Sequence, residues 1–165
     1  RILFEMEKRG VILPTKVTPF GKNHVFSKVK SGDWNRTGGI CVNAKQMAIL
    51  SNNGPSPWLK RVSEILGTLG TVYVFTEQML ETEAEAEEPY EMFLVDASGL
   101  QMELAERVGW LHGRFPEAPI IVLTSSPTWR RARAVLQAGA ADYMRRSTPD
   151  DELVARCRSL MNWHP

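Results

Sequence analysis

The sequence predicts an α/β domain: a doubly wound five-stranded parallel sheet with helices on both faces. Two observations carry that expectation. From about residue 46 onward, short apolar runs bounded by turn residues recur as buried strands do, and stretches with helical spacing of apolar residues separate them. Strand and helix in alternation imply parallel pairing through right-handed crossovers, with both faces of the sheet covered. In an open sheet of this kind, ligands and chemistry collect at the carboxyl edge of the strands.

Residues 1–45 hold β-like pieces, Val11-Ile12-Leu13 and His24-Val25-Phe26, broken by Pro14, Pro19, Gly21 and Ser31-Gly32-Asp33. They lack the apolar content for a core of their own and are read as a linker or the end of a preceding domain, with the domain proper over 46–165. A chain opening at Arg1 suggests a piece of something longer. Met47–Leu50 is the first strand, and Ser51-Asn52-Asn53-Gly54-Pro55 the loop after it. Trp58, Val62, Ile65, Leu66 and Leu69 keep helical spacing, and Gly67 and Gly70 mark that helix's end. Val72–Phe75 is the second strand. The stretch Glu77 to Glu91 is so rich in glutamate that a solvated face or loop is expected.

Met92–Val95 forms the third strand and is closed by Asp96; the next helix turns Leu100, Leu104, Val108 and Leu111 inward. Ile120–Leu123 is the fourth, running into Thr124-Ser125-Ser126, and a helix from Trp129 to Ala138 stops at Gly139. Ala141–Met144 is the fifth, followed by Arg145-Arg146. The last helix starts at Pro149-Asp150-Asp151-Glu152, an acidic first turn suited to the helix dipole, and buries Leu153, Val154, Cys157 and Leu160 or Met161. Carboxylate, hydroxyl and cation are thus expected to converge from three neighbouring strand ends.

Composition narrows the function. A net charge of +1 over 165 residues argues against nucleic acid as a partner, and no apolar run is long enough to span a bilayer. No segment reads as a signal peptide, and Cys41 and Cys157 have no metal or disulfide spacing, so a cytoplasmic setting with reduced thiols is expected. His24, His112 and His164 are scattered, none near a nucleophile in sequence, and no glycine-rich phosphate loop is present. Neither independent catalysis, nor a metal, nor a cofactor is therefore expected. Trp34 and Trp163 read as packing or docking anchors.

Three phrases in order carry a resemblance over residues 46 to 161. Phe93-Leu94-Val95-Asp96, Ile121-Val122-Leu123-Thr124-Ser125, and Ala138-Gly139-Ala140-Ala141-Asp142-Tyr143-Met144 followed by Pro149-Asp150-Asp151-Glu152-Leu153 resemble the receiver domain of two-component response regulators. The resemblance implies strand order 2-1-3-4-5, Asp96 in the phosphoacceptor position, Thr124 and Tyr143 in the switch positions, and Arg146 in place of the family's lysine. It also exposes departures. Asn52 and Asn53 stand where a pair of acidic residues helps hold magnesium, and neutral amides are poor substitutes for carboxylates around Mg²⁺. Ser147 replaces a proline, and Gly99-Leu100 a methionine-proline pair. Arginine keeps the lysine's charge but not its point geometry.

The chain is accordingly expected to be a degenerate receiver that acts by protein–protein interaction, without phosphorylation, inside or beside a sensor kinase or regulator such as a hybrid histidine kinase. Its interface candidates are Arg130, Arg131, Arg133 and Arg145, on the face active receivers use for output, with other domains of the parent protein or a second copy of the chain as partner. The alternatives are a phosphoacceptor receiver using Asp96, and a nucleotide-sensing one in which the arginines bind phosphate beside Trp129.

Overall fold

A computed structural model of the chain describes residues 15–17, 45–82 and 90–162. Six strands form one sheet: β1 (Thr15–Val17), β2 (Lys45–Leu50), β3 (Gly70–Phe75), β4 (Met92–Asp96), β5 (Ile120–Thr124) and β6 (Asp142–Arg145). Their spatial order is β1-β3-β2-β4-β5-β6. The last five strands are parallel neighbours and, counted among themselves, run 2-1-3-4-5. The five-stranded expectation therefore holds, and β1 adds a sixth strand that pairs antiparallel with the β3 edge, Thr15 opposite Val74. The pieces Val11–Leu13 and His24–Phe26, together with His24, Trp34, Cys41, Glu83 to Glu88, Trp163 and His164, lie outside the described residues.

Five helices alternate with the parallel strands: α1 (Pro57–Gly67), α2 (Glu77–Thr82), α3 (Leu104–Arg114), α4 (Trp129–Gln137) and α5 (Asp150–Met161). Successive strand residues point to opposite faces, so each apolar run feeds two cores. Met47, Ile49, Met92, Leu94, Ile121 and Leu123 pack with Leu59, Val62 and Leu66 of α1 and Leu153, Cys157 and Met161 of α5. Ala48, Leu50, Phe93, Val95, Ile120 and Val122 pack on the other face with Leu80, Val108, Leu111 and Val135. This two-sided burial is why β2, β4 and β5 read as unbroken apolar runs. Burial pushes the Cys157 thiol up to about 12, so it stays protonated and inert.

Local chemistry sets the helix starts. Ser56 caps α1 by accepting the Leu59 N–H at 3.1 Å with Pro57 at the first helical position, and Thr128 caps α4 through the Arg131 N–H at 3.3 Å.

Three local expectations are corrected. Gly70 does not end α1 but opens β3: a Cβ there would lie 2.2 Å from the Lys45 carbonyl oxygen, so only glycine lets the two strands approach. Leu100 is not on α3, which starts at Leu104 where Glu103 caps it, although Leu100 still packs on the core from the preceding loop. The glutamate-rich stretch does not begin as a solvated face, because Glu77 opens α2 and is buried.

Candidate functional site

The carboxyl edge of the sheet brings the loops after β2, β3, β4 and β6 together around Asp96, which is 1 % exposed. Asp96 Oδ1 accepts the Ser98 hydroxyl at 2.6 Å and the Ser98 N–H at 3.1 Å. Asp96 Oδ2 accepts the Ser51 hydroxyl at 3.0 Å and the Asn53 side-chain N–H at 2.9 Å. An ionised carboxylate offers about four acceptor positions, and here each oxygen takes two donors from the chain itself. Asn53 also donates to the Ser98 carbonyl at 3.0 Å, and its side chain comes so near Gly99 that a Cβ on that residue would stand 2.5 Å from Asn53 Oδ1. With φ at +75° as well, position 99 is suited to glycine on both counts.

Arg146 approaches from the end of β6. Its Nη1 donates to the Ser98 hydroxyl oxygen at 3.0 Å, and its Nη2 stands 3.8 Å from Asp96 Oδ2. The guanidinium lies over the Trp58 ring, 4.0 Å from the centroid, and the Trp58 indole N–H donates to the Arg146 carbonyl at 3.3 Å. Trp58, which reads as an apolar helix position in sequence, is thus the platform for the Arg146 guanidinium. Thr124 and Tyr143, expected in the switch positions, are not joined to Asp96 by a hydrogen bond. Thr124 is buried at the end of β5 and its hydroxyl accepts the Ser126 N–H at 3.2 Å. Tyr143 is half-buried against the core facing α3 and α4, and its hydroxyl, though buried, finds no partner among the described residues.

Asn52 points elsewhere. Its side chain clasps Glu77, donating to the carboxylate at 2.5 Å and accepting the Glu77 N–H at 2.9 Å. The Glu77 carboxylate also accepts the backbone N–H groups of Gln101, at 2.7 Å, and Met102, at 3.4 Å, and meets the buried Arg107 at 2.9 Å. Arg107 reaches Glu81 at 2.7 Å and lies 5.4 Å from the Trp110 ring centroid. Burial would raise the Glu77 carboxyl, yet the hydrogen bonds from Gln101, Arg107 and Asn52 and the Arg107 charge hold it below the ordinary carboxylate range. Asp96 is therefore not the sole anion at this edge.

Ser51, Ser98, Glu77 and Arg107 were missed as site residues. Signals for two of them existed: Ser98 follows Asp96 by two, the spacing of a local Asx-type hydrogen bond, and Arg107 falls on the inward stripe of α3 between Leu104 and Leu111.

The donor set does not fit a divalent cation of the kind the resemblance implies. Asn52 and Asn53 present amide N–H groups to the Glu77 and Asp96 carboxylates, the Asn52 oxygen is taken by the Glu77 backbone N–H, and the described residues contain no cluster of three or more His, Cys, Asp or Glu able to hold a metal.

Arg130 and Arg131 line a groove between α3 and α4, whereas Arg145 borders a hollow at β6 with Tyr143, Ser147 and Glu152. His112 lies against Gly139, away from this edge.

No protein-family model and no curated protein sequence matches the chain. Solved structures do. The chain is similar to the BeF3-activated DrrB receiver domain, with 24 % identity, 73 % of this chain and 99 % of that chain covered, and a TM-score of 0.61. A CheY-like response regulator receiver domain protein from Methanospirillum hungatei matches at 20 % identity over 72 % of this chain and 94 % of its own, with a TM-score of 0.62. The fold is that of a response-regulator receiver domain. A response regulator from Burkholderia pseudomallei, solved with a phosphorylated aspartic acid and a calcium ion, matches at 18 % identity over 70 % of this chain and 71 % of that one, with a TM-score of 0.56. Among the described residues, no helix of this receiver fold is long and apolar enough to cross a membrane.

Proposed function

We propose that the chain is a degenerate receiver-like signalling module of a two-component system, working by protein–protein interaction with Asp96 unphosphorylated. One observation carries this reading: both oxygens of Asp96 are taken by donors from Ser51, Asn53 and Ser98. An attacking carboxylate needs a free oxygen and a cation to gather the phosphoryl oxygens, and here hydroxyl and amide dipoles occupy those places. Asp96 then serves as a structural hub tying together the loops after β2 and β4, with Arg146 closing over it from β6. The partners are other domains of a sensor kinase or regulator, a hybrid kinase among them, and a second copy of the chain is the other candidate. Arg133, Arg145 and the neighbouring surface of β6 and α5 remain the output-face candidates. A cytoplasmic location and the absence of an activity of its own belong to the same reading.

The test is intact-mass measurement after incubation with acetyl phosphate and Mg²⁺. No phosphoryl adduct is expected on the wild-type chain, while Asp96→Asn should lower stability by about 1–3 kcal/mol, because an amide NH₂ would face groups that themselves donate. An adduct that Asp96→Asn abolishes would establish the phosphoacceptor reading instead.

A further inference from the structure

A groove of ≈ 340 Å³ separates the start of α3 from the first turns of α4. Leu104, Ala105, Ala134 and Val135 give it an apolar lining, and Arg130 and Arg131 line it from α4. It is distinct from the Asp96 rim and from the hollow that Arg145 borders. Helix α4 carries three arginines and no acidic residue, and among the described residues none of Arg130, Arg131 and Arg133 pairs with a carboxylate. Glu103 is the one acid lining the groove, and its carboxylate is already engaged by the Ala105 and Glu106 N–H groups at 2.8 and 3.2 Å. Trp129, next to Arg130, is 81 % exposed and one of two large apolar side chains left in solvent among the described residues.

We infer that this groove binds an acidic segment of a partner protein, whose apolar side chain enters beside Ala134 and whose carboxylates meet Arg130 and Arg131. Charge selects the occupant. A second copy presenting the same face would bring arginine against arginine, whereas guanidinium groups take carboxylates in bidentate pairs. A nucleic acid would satisfy the arginines but leave the apolar lining unused. Exposed tryptophan and arginine are the residue types that dominate binding energy at interfaces. The inference rests on the proposed role in protein interaction and adds the site and the partner's chemistry to it.

The test selects random short peptides displayed on phage against the immobilised full chain, then follows a synthetic peptide of the leading sequence by fluorescence anisotropy. Asp and Glu clustered around an apolar residue should be enriched. Affinity should fall by about tenfold or more in Arg130→Glu with Arg131→Glu, and weaken at high salt, as charge-steered contacts do. Ala134→Trp, which fills the groove, should act likewise, with Ala134→Gln as the milder substitution at this exposed position; Lys60→Glu, an exposed charge reversal on α1, should leave binding unchanged. Circular dichroism checks that each variant is folded. Failure to select any peptide, selection without acidic bias, or binding indifferent to both groove variants overturns the inference. A phosphoryl adduct on Asp96 together with groove-dependent acidic peptides would remove the unphosphorylated reading and leave the groove standing.

Discussion

Asp96 and Glu77 are two buried carboxylates at the same edge of the sheet, held in opposite ways. Asp96 is met by uncharged hydroxyl and amide donors, and Arg146 stands off at 3.8 Å with 22 % of its side chain exposed. Glu77 is met by the guanidinium of Arg107 at 2.9 Å, with both side chains almost wholly buried. Dipoles suffice for the first, and a full counter-charge is built in for the second. What the difference teaches is where charge is structural at this edge. Removing Arg146 leaves a carboxylate whose acceptor positions are still filled, while removing Arg107 leaves a buried anion short of its counter-ion.

The largest effect should come from breaking the buried pair. Arg107→Met is expected to cost about 3–5 kcal/mol, the usual penalty for stranding one partner of a buried ion pair. Adding Glu77→Gln should recover much of it, because the carboxylate that needed compensation is gone, although the Gln101 and Met102 N–H groups then share a weaker acceptor. Urea unfolding of the single and double variants gives the comparison directly. If Arg107→Met costs no more than a surface substitution, Glu77 and Asp96 are not different kinds of site.

Much of the fold was legible in sequence, because its signals are local. Apolar runs such as Phe93-Leu94-Val95 are fed by residues of one strand, and Asp96, Thr124 and Arg146 follow from where those strands stop. The site was legible only in part, since its other members act through tertiary pairing. Glu77 lies in a glutamate-rich stretch where composition argues for solvent, and partners distant in sequence, Asn52, Gln101 and Arg107, hold it inside. Ser51 and Trp58 look like a strand-end residue and a core aromatic until β4 and β6 are laid beside them. Helix position alone does not say which neighbour a side chain meets, so the groove that Arg130 and Arg131 line with Leu104 and Ala105 of α3 is not legible in the sequence.

A second, intermediate effect concerns acid. Glu77 has its folded-state pKa lowered, so the unfolded chain takes up the proton first as pH falls. Its contribution to stability is therefore fully present above the ordinary carboxylate range and is lost as pH drops through the lower folded value. Wild-type unfolding free energy should decline through that acidic window, and Glu77→Gln, less stable at neutral pH, should decline less steeply. Parallel acid limbs in the two proteins, measured by denaturant titration at a series of pH values, would place the acid sensitivity in other carboxylates.

The smallest effect should come from Arg146→Met. Stacking on Trp58 is worth about 0.5–1 kcal/mol at a site of this exposure, and an ion pair at 3.8 Å reachable by water about 0–1 kcal/mol more. The Ser98 hydroxyl loses one donor but keeps its bonds to Asp96 and Asn53. Arg146→Lys should fall between wild type and Arg146→Met, because it retains charge and gives up the planar stack. Thermal unfolding at low and high salt separates the two contributions: the ionic part is screened, the stacking part much less so. A loss of several kcal/mol in Arg146→Met, vanishing when Asp96→Asn is added, would mean that Arg146 neutralises Asp96 as Arg107 neutralises Glu77. The four neutral donors would then be insufficient for that carboxylate, and the distinction between the two sites would give way to a single rule of paired charges along the whole edge.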